Sequence, residues 1–396
     1  LSIQDARRLE WLILNQTFEG ERMKTVFTKL AASIAVSAAL ISTASAADVV
    51  KFGVQAPITG QYANEGQSID YGVRLIAEQY NNNGGILGKK IEVVTCDDEG
   101  TAQKAAICAR RLVNEGVIAV IGSYTSGATE AAQTTYYRNK VLQTSDGTSD
   151  SLTAKKYWTF FRNSFQNSAQ AEFTADYFVN VKKYQRIAIL SDYSSYSTGL
   201  ADSVIAELKK LNANIVAVEK IKAGAQNYTA TLTKLKSLNP DVIYYAGYYN
   251  EGGLLRAQQQ QLRIEADFVG GDSNDNPDFI KLAGDSAPGT ILINFPTPEF
   301  LPYDTAKKFL ADYRAKYDQD PASIWALMNV DGMLAILHAM QELQTEDTKK
   351  ISDFLHTLKD FPGITGPVSF REDGERVNTK FNVYEIQGDK SYKIIY

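Results

Sequence analysis

Histidine and cysteine are nearly missing, with two of each in 396 residues. So few soft or imidazole ligands cannot assemble a Cys/His metal cluster, and no metal centre or cofactor is expected. His338 and His356 fall inside helical patterns and read as ordinary helix residues. The G-x-S-x-G elbow, the G-x-x-x-x-G-K-[ST] phosphate loop and the G-x-G-x-x-G fingerprint are all absent. With no nucleophile–base pair in view, an enzyme is not expected. The stretch Asp272-Ser273-Asn274-Asp275-Asn276 opens like a calcium loop, but Pro277 stands where a glycine is needed and Ala283 where a glutamate is needed. Positive charge is also in short supply, with 41 Lys+Arg against 46 Asp+Glu and a net charge of −5. No basic stripe exists to neutralise phosphates, which argues against nucleic acid. Outside the N-terminal region no run is long and apolar enough to span a bilayer.

The N-terminal region carries an export signal. From Met23 the chain reads MKTVFTKLAASIAVSAALISTASAAD. Lys24 and Lys29 form a positive start, Leu30 to Ile41 an apolar or small-residue run, and Ala44 to Ala47 two overlapping small-x-small sites. Residues 23–47 therefore read as a secretory signal peptide cut before Ala47 or Asp48. Residues 1–22 read as an upstream extension of the reading frame. No cysteine follows the cleavage site, so no lipid anchor is implied, and the mature protein is expected to be exported, periplasmic and monomeric. Export bears on Cys96 and Cys108, which lie at a strand end and on the next helix. A disulfide is favoured in an oxidising compartment. Two small buried apolar side chains are the alternative.

What is present is an alternation of apolar strands with helical stripes. Val49–Val54, Ile91–Thr95, Val117–Ile121 and Val141–Leu142 read as strands. Gly66–Tyr80, Ala102–Asn114 and a segment from Ala128 read as helices between them. Asp97-Asp98 reads as a cap of the second helix. The pattern restarts after Tyr157–Arg162, with strands at Arg186–Leu190, Ala213–Ile221, Val242–Ala246, Ala266–Gly270 and Thr290–Asn294. The glutamines Gln258–Gln261 fall in a helical pattern with an expected solvent face. Three helices follow, Tyr303–Tyr317, Ala322–Leu343 and Lys349–Leu358, and then short strands. The class is α/β, with two doubly wound parallel-sheet lobes. If the late helices return to the first lobe, three crossovers join the lobes, near 164–167, 294–298 and 374–378. Lobe 1 is then 48–164 and 298–374, and lobe 2 is 167–294 and 378–396.

One stretch carries the chemistry. After Val117–Ile121, Gly122 ends the strand and Ser123-Tyr124-Thr125-Ser126-Gly127 leads into a helix, with Ser126 suited to the N-cap. The next strand ends in Thr144 to Thr148, also rich in hydroxyls. Loops at the carboxyl ends of strands present free N–H groups and a helix dipole, which favour an anion. Ordinary strand–helix turns with solvent-facing hydroxyls are the alternative, since every open α/β sheet has them.

The mature chain, Asp48 to Tyr396, resembles the solute-binding proteins of branched-chain amino acid ABC transporters, which have the type I periplasmic binding protein fold. The resemblance rests on Ala56-Pro57-Ile58-Thr59-Gly60, Asn82-Asn83-Gly84-Gly85-Ile86-Leu87-Gly88, Asp97-Asp98, Val120-Ile121-Gly122-Ser123, Gly147-Thr148-Ser149, Arg186–Leu190, Tyr244-Tyr245-Ala246-Gly247-Tyr248 and Gly366-Pro367-Val368, in this order and spacing. It implies capture of a small amino acid, branched-chain by the family's habit, and delivery to a membrane permease. It implies that Ser126 and Thr148 hold the ligand carboxylate, with Ser149 a rival to Thr148. It implies that Thr148, a carbonyl of Asp146 or Gly147, and Asp272 hold the ammonium. Tyr62, Tyr124 and Trp325 match side-chain contacts of the first lobe, and Tyr196 and Tyr248 those of the second. The Thr144–Thr148 loop reads as one residue short of the family pattern, and Asp272 as one methylene shorter than the expected glutamate. Members of the family also take aromatic acids, amides and urea, and the fold also serves sensors, so these readings stay beside the branched-chain one.

Overall fold

The structure, a computed structural model, describes residues 48–377 and 379–396. The upstream extension and the signal peptide lie outside the described residues. Among those described, no helix is long and apolar enough to cross a membrane.

The first sheet is wholly parallel. Its elements are β1 (Val49–Ala56), α1 (Ala63–Asn82), β2 (Lys90–Asp97), α2 (Ala102–Asn114), β3 (Ala119–Ile121), α3 (Ser126–Arg138), β4 (Leu142–Ser145), the short α4 (Ser151–Ala154) and β5 (Phe160–Arg162). The strand order is β2-β1-β3-β4-β5. Direction of winding reverses between β1 and β3, and such switch points open a crevice at the strands' carboxyl ends. The Ser123–Ser126 loop leaves β3 at that point. Gly122 is required there, because φ is +112° and an added Cβ would lie 2.0 Å from the Gln55 carbonyl oxygen.

The second lobe repeats the plan. After α5 (Asn167–Asp176) come β6 (Ile187–Ser191), α6 (Ser195–Lys210), β7 (Ile215–Lys220), α7 (Thr229–Ser237), β8 (Val242–Ala246), α8 (Tyr249–Gln261), β9 (Asp267–Gly270), α9 (Pro277–Ala283) and β10 (Ile291–Asn294). Then α10 (Asp304–Tyr317), α11 (Ile324–Leu343) and α12 (Thr348–Thr357) pack back on the first lobe. The Tyr317 hydroxyl donates to the Tyr71 carbonyl (2.9 Å) and the Ser352 hydroxyl to the Trp158 carbonyl (2.6 Å). Nearly every face of α11 is buried, as expected of a helix that is apolar all round. A hairpin of β11 (Phe361–Gly363) and β12 (Gly366–Val368) follows, and β13 (Asn382–Ile386) and β14 (Tyr392–Ile394) complete the second sheet. Its order is β14-β13-β10-β9-β8-β6-β7, with a switch between β6 and β8. β13 runs antiparallel to β10, and β14 antiparallel to β13, so this sheet is mixed at one edge.

Three local expectations need correction. Thr125, not Ser126, caps α3: its hydroxyl accepts from the Ala128 N–H at 3.3 Å. Thr101, not the Asp97-Asp98 pair, caps α2. Asp97 instead gathers the Ile58 and Thr59 N–H groups, and Asp98 the Gly100 N–H and the Gln55 amide. The glutamine run is not a solvent face throughout, because Gln258 and Gln259 are buried. Gln258 accepts from the Tyr228 N–H (2.6 Å) and Gln259 donates to the Ala266 carbonyl (2.7 Å), so hydrogen bonds replace hydration. Cys96 and Cys108 are joined by a disulfide that ties β2 to α2.

Candidate functional site

The loops at the two switch points meet across the gap between the lobes. They surround a small cavity lined by Tyr124, Ser126, Asp146, Gly147, Thr148, Tyr196, Tyr248, Asp272, Ser273 and Trp325. Of the ligand residues expected from sequence, nine line it directly. Tyr62 does not; it packs behind, its ring 4.7 Å from Tyr248 and 5.8 Å from Tyr124. Ser273 was not anticipated, and neither were the groups that hold the walls in place.

The first-lobe wall is built from hydroxyls, backbone and the Asp146 carboxyl, which burial pushes well above the usual carboxylate range. The Ser126 hydroxyl accepts from the Ser149 N–H at 3.2 Å, which joins the two loops. The Ser145 hydroxyl accepts from the Gly147 N–H (3.0 Å) and lies 2.9 Å from both the Ser123 carbonyl and the Thr129 hydroxyl. Behind them sits Arg162, fully buried at the end of β5. Its guanidinium donates to the carbonyls of Gly147 and Ser149, and pairs with Glu375 at 2.8 Å. One buried cation thus fixes the loop that carries Thr148. A second buried pair, Arg376 with Asp331 (3.6 Å), ties the last crossover to α11 and the hairpin.

The second-lobe wall centres on one acid. Asp272 begins a single 3-10 turn after β9 and is fully buried. Tyr196 donates to it at 2.7 Å and the Ser273 hydroxyl at 3.2 Å. Desolvation dominates these two bonds and pushes its carboxyl up to about 6. No Lys, Arg or His lines the cavity. An ammonium placed there would reverse the shift, since a buried carboxylate is stable only beside a positive partner.

The lobes are closed over the cavity, and hydrogen bonds seal the mouth. The Asn276 amide donates to Glu65 (2.5 Å), and Asn64 donates to Asn276 (2.9 Å) and Asp278 (2.7 Å). Tyr249 donates to Asn64 (2.6 Å), and Asn250 to the Gln61 carbonyl (2.8 Å). Glu65 also accepts from Ser323 at 2.8 Å. Burial pushes the Glu65 carboxyl from 4.5 up to about 8, with Ser323 and Asn276 opposing the shift.

Residues 49–391 match the family model described as periplasmic binding protein. Among curated proteins the chain is similar to a Leu/Ile/Val-binding protein of Rhizobium johnstonii, 31% identical over 93% of this chain and 98% of the relative. It is also similar to a leucine-specific-binding protein of Salmonella typhimurium, 30% identical over 90% of this chain and 96% of the relative. Among solved structures it resembles the branched-chain amino acid transporter substrate-binding protein LivJ of Streptococcus pneumoniae, solved with isoleucine. There the TM-score is 0.81 and identity 32%, covering 88% of this chain and 99% of that one. A leucine-binding protein of Thermotoga maritima gives a TM-score of 0.80 at 26% identity, covering 88% and 98%. The chain therefore belongs to the periplasmic binding protein family, in its branched-chain amino acid group, and is a solute-binding protein of the ABC-transporter type rather than an enzyme.

Proposed function

We propose that this protein captures a small α-amino acid, leucine, isoleucine or valine by kinship, in the inter-lobe cleft and delivers it to the membrane permease of an ABC importer. The protein acts in the periplasm as a monomer, after loss of residues 23–47. The observation that carries this reading is the polarity of the cavity. On the first-lobe wall stand the hydroxyls of Ser126 and Thr148 beside the start of α3, suited to a carboxylate. On the second-lobe wall stands the buried Asp272, suited to an ammonium. The rings of Tyr124, Tyr196, Tyr248 and Trp325 line the same cavity, which suits an apolar side chain. Asp272 meets the ammonium directly, with Thr148 and a carbonyl of the 146–147 loop as its further acceptors. Ligand enters an open form, and the closed form is stabilised by contacts to both lobes.

A thermal-shift screen of the mature protein tests this. Amino acids are compared with carboxylates of the same skeleton lacking the amine. Saturation at about 100 times the dissociation constant adds about 2.7 kcal/mol. Stabilisation by leucine, isoleucine or valine but not by their amine-free analogues is the expected result. Stabilisation by amine-free acids alone overturns the ammonium site at Asp272.

A further inference from the structure

A second cavity lies outside the ligand cleft. Its volume is about 340 Å³, within the range of small-molecule sites, and it shares no lining residue with the cleft. The first lobe contributes Leu310 and Arg314 of α10 and the residues 320–323 that lead into α11. The second lobe contributes Asp275, Ile280 of α9 and Tyr392 of β14. Thr297 and Glu299 of the second crossover complete the lining. The cavity adjoins the seal at the mouth of the cleft. Ser323 lines it and donates to Glu65, and Asp275 and Pro277 flank Asn276, which donates to the same carboxyl.

The lining is unbalanced in charge. It holds three acids, Asp275, Glu299 and Asp320, and one cation, Arg314. Arg314 is already paired with Asp320. Asp275 and Glu299 have no ion-pair partner among the described residues. Asp275 is buried, and the Asn294 amide that donates to it at 3.0 Å is neutral, so its charge stays uncompensated. A separate observation points to a missing donor. Thr297 is 2% exposed, and its hydroxyl has no hydrogen-bond partner among the described residues. Native interiors pair such groups, and an ammonium donates to a hydroxyl oxygen as it does to a carboxylate. Ile280, Leu310 and Pro321 add apolar surface suited to methylenes.

We propose that this cavity is a second ligand site, distinct from the amino-acid cleft, and that it takes a small alkyl diammonium ion. The two uncompensated carboxylates, Asp275 and Glu299, meet its two charges, the Thr297 hydroxyl accepts from an ammonium, and the methylenes lie on the apolar lining. Because both lobes and a crossover line the site, its occupant touches both halves of the closed form. The site stands independently of which amino acid the cleft binds.

The test is calorimetric titration of the mature protein with 1,4-diaminobutane at fixed ionic strength and pH 8, where the Asp275 carboxyl, raised by burial to about 7, is ionised. One saturable site per chain is expected, with no binding of 1,4-butanediol, which has the same length and no charge. Asp275→Asn is expected to weaken the diamine about tenfold or more, and Glu299→Gln, at an exposed position, about threefold. Asp272→Ala is expected to leave it unchanged, since Asp272 lines only the cleft. Asp202→Asn, an exposed acid of α6, is expected to leave it unchanged as well. Absence of saturable binding at about 1 mM overturns the proposal, and so does equal binding of the diol. Loss in Asp272→Ala with none in Glu299→Gln places the diamine in the cleft and overturns it too. Equal weakening by Asp202→Asn and Glu299→Gln reduces the effect to diffuse attraction by an acidic surface, which also overturns it. If Asp275→Asn does not fold, as judged by its melting curve, Glu299→Gln decides.

Discussion

The two walls of the cleft solve opposite electrostatic problems with opposite means. In the proposed binding mode the first-lobe wall receives an anion without a cation of its own at the surface. It uses hydroxyls and a helix start, and these must be held in place, so the frame behind them is heavily braced. The disulfide Cys96–Cys108, the buried pair Arg162–Glu375 and the buried pair Arg376–Asp331 all serve that lobe or its crossover. The second-lobe wall would receive the cation with a single carboxylate, Asp272, steadied by a phenol and a hydroxyl. Among the described residues that lobe has no disulfide and no buried ion pair. Neutral dipoles stabilise a charge only when several are fixed together, whereas one opposite charge suffices alone. The more heavily braced lobe is therefore the one that offers mainly neutral dipoles.

The comparison can be broken most directly at Asp272. Asp272→Ala leaves a buried ammonium unpaired and is expected to cost about 3–5 kcal/mol of binding, read by calorimetry. Ser126→Ala removes one of several dipoles and is expected to cost only about 1 kcal/mol. A loss at Ser126 equal to that at Asp272 would mean that the two walls do not differ as described. The bracing is tested by Arg162→Ala, which strands Glu375 and is expected to cost about 3–5 kcal/mol in a denaturant titration. Replacing both partners by apolar residues is expected to cost much less, since no lone charge is left behind. Reduction of the disulfide comes next, at about 2–3 kcal/mol for a loop of this size. Its effect belongs to the first lobe, so amides of β2 and α2 are the ones whose hydrogen exchange accelerates. Uniform acceleration across both lobes would show that the lobes do not differ in bracing.

The smallest expected effect is on pH. Glu65 titrates near 8 when the cleft is closed and returns toward 4.5 when opening rehydrates it. Closure thus takes up a proton and weakens as pH rises through that window. Below about 6 the protonation of Asp272 works the other way, because the ammonium then loses its partner. Between about 6 and about 8 affinity is expected to fall with rising pH, and Glu65→Gln is expected to flatten that slope. A wild-type affinity that is level or rising across this interval would remove Glu65 from the closure equilibrium.

Strand and helix order was legible in the sequence because apolar periodicity is a local signal. The residues that line the cavity, Asp272 among them, were legible through motif resemblance. Arg162 and Glu65 were not, and the reason is separation. Arg162 meets Glu375 across 213 residues, and Glu65 meets Asn276 across 211. Nothing near Arg162 in the chain distinguishes it from a surface arginine. Adjacent hydroxyls defeated the choice between Thr125 and Ser126, since composition is the same and only the backbone turn selects the cap. Gln258 and Gln259 read as solvent-facing because their buried partners, Tyr228 and Ala266, lie on other elements.

The seal at the mouth of the cleft also sets a clock. Every residue lining the cavity that carries a side chain is at most 5% exposed, so no ligand leaves while the lobes are shut. Escape waits for the contacts of Gln61, Asn64 and Glu65 with the opposite lobe to part together. Residence time then depends on the rim as well as on the ligand's contacts to both lobes. Weakening the rim shortens the dwell of every ligand by a similar factor, and changing the pocket re-ranks ligands. The rim therefore acts on all ligands alike, while the pocket acts on each through its own contacts.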